Sequence, residues 1–129
     1  MTRSALALLL SIIVAACTSA PTPSPSTQPP RVACDQAPAT TEPHLECAEA
    51  VAAAVRAVPA NQGPTSVVTF HYGCSEFGSG PRDCNSPRIG WVEIDLAGGP
   101  PWTSITFEIS KGLDGIVTAT LVGAREALP

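Results

Sequence analysis

Histidine, tyrosine and positive charge are all scarce in this chain, and each shortage narrows what it can do. There are two histidines and one tyrosine among 129 residues, and Lys and Arg together number seven. With only His44 and His71 available, and no G-x-S-x-G motif beside either, a Ser-His-Asp hydrolase site is not indicated. The shortage of basic residues argues against nucleic acid as a partner, because nucleic-acid binding needs a basic face. It also disfavours electrostatic adhesion to anionic lipid head groups. Paired C-x2-C spacings are missing, which removes the usual signature of a structural zinc site. No cofactor is called for. The longest apolar run, Ser4 to Ala16, falls short of the ~20 residues a membrane-spanning helix requires.

That run has another reading. Met1-Thr2-Arg3 supplies a positive start, and Leu6, Leu8 to Leu10 and Ile12 to Val14 form the apolar centre of a signal peptide. It ends in Val14-Ala15-Ala16-Cys17, a branched aliphatic residue, two small residues and a cysteine. This segment resembles the lipobox of bacterial lipoproteins, although Val stands at position 14 where Leu is commoner. The resemblance implies a signal peptide over residues 1–16, cleavage before Cys17, and diacylglycerol joined to the Cys17 thiol. It implies a protein held at the cell membrane on the extracytoplasmic side, with membrane lipid as its first partner. Two or three acyl chains, at ~0.8 kcal/mol per buried methylene, make such attachment durable. An ordinary secretory leader cut near Ala16 is the competing reading.

Proline is abundant where charge is not. Residues 17–31 continue from the cysteine as Thr, Ser, Ala, Pro and Gln as far as Arg31, with five prolines between Pro21 and Pro30. Such a segment favours an extended polyproline-like chain and has no apolar residues to offset ordering. At roughly 3 Å per residue, it would hold a domain some 40 Å from the lipid surface.

Composition changes at Val32, and residues 32–129 read as one small domain. Five basic residues there (Arg56, Arg82, Arg88, Lys111 and Arg125) face all eleven acidic ones, a net charge of −6. Thr41 reads as a helix N-cap with Pro43 in the first turn. Leu45, Ala48, Val51, Ala52, Val55 and Val58 then recur at helical spacing. Pro59 and Asn61-Gln62-Gly63-Pro64 stop the helix. Four strands are predicted after it, over 66–72, 89–96, 102–110 and 116–122. The connections at 97–101 and 111–115 are short and glycine-rich, so the last three strands should pair as antiparallel hairpins. The predicted fold is a two-layer α+β domain, with one amphipathic helix on a four-stranded, mainly antiparallel sheet.

With Cys17 assigned to lipid, Cys34, Cys47, Cys74 and Cys84 remain, an even set in an exported chain. Two disulfides are expected, and three connectivities are open. Pairing Cys34 with Cys47 would pin an irregular lead-in to the helix. Pairing Cys74 with Cys84 would close a Gly-, Pro- and Ser-rich loop that has little else to order it. This pairing is favoured over links from lead-in or helix to the sheet. The stretch Glu46-Cys47-Ala48-Glu49-Ala50-Val51, followed by Cys74 and Cys84, weakly resembles small secreted and lipoprotein domains of high-GC bacteria. That resemblance carries over no active site.

The candidate functional residues therefore lie on the sheet and its longest loop. His71, Trp91, Glu93 and Glu108 fall on the strand face opposite Val68 and Phe70, which reads as an open, solvated face. Glu93 with Asp95 or Glu108 offers paired carboxylates, but without a cleft to place a sugar between them. The loop from Ser75 to Arg88 carries Phe77, Arg82 and Arg88, and together with Trp91 these form the candidate interaction surface. The functional expectation is a non-enzymatic cell-envelope interaction protein with an envelope protein as partner. The alternative is a small-ligand module using the open sheet face or the Cys74–Cys84 loop.

Overall fold

In a computed structural model, residues 28–79, 82–97 and 101–126 are described. The signal peptide, Cys17 and the linker as far as Thr27 lie outside them, as do Gly80-Pro81 and Gly98 to Pro100. The elements run β1 (Arg31–Cys34), α1 (Cys47–Ala57), β2 (Thr65–Tyr72), β3 (Ile89–Leu96), β4 (Trp102–Lys111) and β5 (Val117–Glu126). Among the described residues no helix is long and apolar enough to cross a membrane.

The α+β class stands, with one helix packed on one sheet, but the sheet has five strands rather than four. Its order follows the chain, β1-β2-β3-β4-β5, and it is mixed. β1 runs parallel to β2, and the later neighbours pair antiparallel. The extra strand has a simple reason for escaping sequence periodicity. β1 is four residues long and exposed throughout, so it shows no alternation. It exists because β2 offers it a ladder, with Val32 opposite Val68 and Cys34 opposite Phe70. The β1-α1-β2 crossover supplies the long connection that a parallel pair needs.

The helix begins at Cys47, with Glu46 in extended conformation as its N-cap, and not at Thr41. Residues before it are drawn onto the sheet instead. The Leu45 backbone N–H donates to the Pro87 carbonyl at 2.9 Å, and the Tyr72 hydroxyl donates to the Leu45 carbonyl at 2.7 Å. Leu45 is thereby fully buried as part of an extended arm. The buried helix face also differs from the predicted stripe. Ala50, Ala53 and Ala54 are buried, while Ala48, Ala52 and Val55 are exposed. Small side chains let the helix approach the sheet closely, and the Cys34–Cys47 bond fixes which side of it faces inward. The second bond joins Cys74 to Cys84.

Between helix and sheet lies a core of Val68, Phe70, Val92, Ile94, Ile105, Phe107 and Ile109, all essentially without solvent contact. These are alternate residues of β2, β3 and β4, which is the period-2 burial expected of a sheet face. Tyr72 sets its ring edge-on to Phe70, centroids 4.8 Å apart.

Candidate functional site

The face of the sheet turned away from the helix is not open. The chain leaving β2 at Tyr72 turns at Gly73, whose φ of 93° is a left-handed value that L side chains rarely adopt. It then folds back across β3, β4 and β5 before re-entering the sheet at Ile89. The loop is held there by three kinds of contact. Arg82 forms an ion pair with Glu108 on β4 and donates to the carbonyls of Ser75 and Gly78, at 3.3 Å and 2.9 Å. The Cys74–Cys84 bond closes its base. Phe77 lies over Gly123 of β5, so close that a Cβ there would sit 3.0 Å from the ring.

Burial on this face follows from that cover. Ser104 and Thr106, on the same face of β4 as Glu108, are 6% and 4% exposed. Both faces of β4 are therefore occupied, by the core on one side and by the loop on the other. Gly123 is the residue that admits Phe77. The register also slips between Thr106 and Phe107, which pair with Gly123 and Leu121 and leave Val122 as the extra residue.

Phe77 remains 51% exposed, and three recesses surround it. The largest, about 380 Å³, lies against Glu108, Ser110 and Thr120 to Val122. A second, about 120 Å³, is bordered by Glu93, Ser104, Thr106, Ala124 and Arg125. A third, about 220 Å³, is bordered by Ser75, Glu76, Phe77, Trp91 and Glu93. Trp91 has a second ring beside it. His71 stacks on it with centroids 4.3 Å apart, and the His71 Nδ1 meets the Asp35 carboxylate at 3.2 Å. The same carboxylate accepts the Tyr72 backbone N–H at 3.2 Å.

Of the residues singled out by sequence, Phe77 and Trp91 meet at one recess, and Glu93 joins them. Arg82 is committed to Glu108 and to the loop's own carbonyls. Arg88 borders none of the three recesses, and its carbonyl accepts the Lys111 backbone N–H. Asp35, Ser75 and Glu76 were missed. Asp35 could not be found without knowing of β1, and Ser75 and Glu76 gain meaning only once the loop is laid on the sheet. Among the described residues no cluster of three His, Cys, Asp or Glu side chains is placed to hold a metal ion. No protein family, curated protein or solved structure matches this chain.

Proposed function

We propose that the chain is a lipid-anchored, extracytoplasmic interaction protein without enzymatic activity, and that it meets its partner through the loop-covered sheet face. The observation that carries this reading is Phe77. It is a large apolar side chain, half exposed, on a loop held by a disulfide and by the Arg82 contacts. An aromatic side chain presented on a tethered loop and bordered by recesses is the usual form of a contact hot spot, since tethering lowers the entropy lost when it is covered. The lipobox-like Val14-Ala15-Ala16-Cys17 and the proline-rich segment after it support the anchor and a spacer.

Two measurements test the reading. The intact mass of the membrane-extracted chain should correspond to a polypeptide beginning at Cys17 with added acyl groups, and a soluble, unmodified chain would overturn the anchor. A photo-crosslinking side chain placed at position 77 should capture one defined envelope protein in cells. The same group placed on the exposed helix side, at position 52, should not. Equal capture from both positions would refute the surface assignment.

A further inference from the structure

We propose that the recess between Phe77 and Trp91 binds a protonated primary amine. The inference rests on the reading of the loop-covered face as the binding surface, and it names the chemistry recognised there. Five side chains converge on one volume of about 220 Å³. Two aromatic side chains, Phe77 and Trp91, border it, and the faces of such rings attract cations. Two carboxylates, Glu76 and Glu93, border it as well, and neither forms an ion pair among the described residues. Ser75 also borders it, is 5% exposed, and its hydroxyl oxygen has no hydrogen-bond partner within the protein. A buried hydroxyl without a partner is costly, and it is satisfied when a donor arrives.

These features select among cations. A primary ammonium carries three N–H donors, which match two carboxylates and one hydroxyl, while its aliphatic stem suits the aromatic walls. A quaternary ammonium would satisfy the rings but leave Ser75 without a donor. An anion would meet two like charges with Arg82 already engaged by Glu108. The stacking of His71 on Trp91, backed by Asp35, holds the indole in place before any ligand enters.

The test uses the full-length chain in non-ionic micelles and follows the two tryptophan indole N–H signals by NMR, with Trp91 assigned through Trp91→Phe. The probes are n-butylammonium, a lysine residue blocked at both ends, tetramethylammonium and butyrate. Saturable shifts of the Trp91 signal with the first two probes, and not with the last two, are expected. Glu93→Gln and Glu76→Gln should each weaken binding by about fivefold or more, as loss of a charge-assisted hydrogen bond requires. Ser75→Ala should reduce the preference for butylammonium over tetramethylammonium. Tighter binding of the blocked lysine than of butylammonium would assign a protein side chain as the source, and equal binding a free amine; both support the proposal. Absence of saturable shifts, equal response to tetramethylammonium or butyrate, or unchanged affinity in both Glu variants would overturn it. If position-77 crosslinking persists while the amines fail, the interaction reading stands and this inference alone falls.

Discussion

Gly90 shows how tightly single positions are held. It sits in β3 opposite Tyr72 and Ile109, and a Cβ there would lie 2.5 Å from the Phe70 ring and 2.7 Å from the His71 carbonyl oxygen. Neither neighbour can retreat, because Phe70 is wholly buried and the other atom is backbone. Gly90→Ala should therefore lower stability by ~1–3 kcal/mol, read from the denaturant midpoint. Tyr72 is constrained differently. Burial, then the charges of Glu46 and Asp35, push its phenol above the ordinary value of 10.0. The neutral form is thus favoured in the folded state, so its contribution is full below pH 10 and fades as pH climbs through the raised folded value. Tyr72→Phe should cost ~1–2 kcal/mol by stranding the Leu45 carbonyl. It should also remove part of the alkaline loss of stability seen in unfolding experiments above pH 10. The tether of Tyr72 to Leu45 was not readable from alternation, because the partner is 27 positions away.

Among the elements, the helix start carries the clearest electrostatic signature. The Glu49 carboxylate accepts from the Lys111 ammonium at 2.8 Å and from the Glu46 backbone N–H at 3.2 Å, joining helix, N-cap and the end of β4. The Lys111 hydrogen bond first, then the Glu46 one, holds its pKa below the ordinary 4.5. A depressed carboxylate stabilises the fold above its unfolded value, and the contribution disappears as pH falls through the lower folded value. Melting temperature should therefore drop on acidification below about pH 4.5, and Glu49→Gln should flatten that part of the profile while lowering the value at neutral pH. Helical periodicity correctly marked a helix here, and Val51 and Val58 of its stripe do pack on the core. Yet it also placed the exposed Ala48, Ala52 and Val55 there and began the helix too early. An alanine-rich sequence offers several stripes of similar hydrophobicity, and Leu45 was counted as helical although it packs from an extended arm. The strands were legible because Val92, Ile94, Ile105, Phe107 and Ile109 alternate strictly. β1 was not, since four exposed residues carry no period.

At the scale of the whole molecule, the protein has a third partial layer that a helix-on-sheet description omits. The loop closed by Cys74–Cys84 covers the face opposite the helix, and Ser104 and Thr106 are buried beneath it. Replacing both cysteines, Cys74→Ser with Cys84→Ser, should cost ~2–3 kcal/mol, as expected for a loop of this length. The loss should be local in character. Hydrogen exchange should rise over 75–79 and at Thr106, while the amides of the β2–β3 ladder stay protected. Uniform loss of protection across the sheet would show instead that the loop is integral to the fold.

The amino-acid sequence alone determined the class of the domain, its long strands, the presence of one helix and two disulfides, and the features that suggest a leader and anchor. Each of these is written in local signals: alternation, helical spacing, an even cysteine set, and a short apolar run ending in a small-residue motif. Tertiary structure alone decided the fifth strand, the buried side of the helix and the fate of the supposedly open face. Those depend on what lies across space. β1 needs the β2 ladder, the helix orientation needs Cys34, and the recess at Trp91 needs Phe77 to cross three strands and settle on Gly123. Local periodicity records which way a side chain points, but not what arrives to cover it.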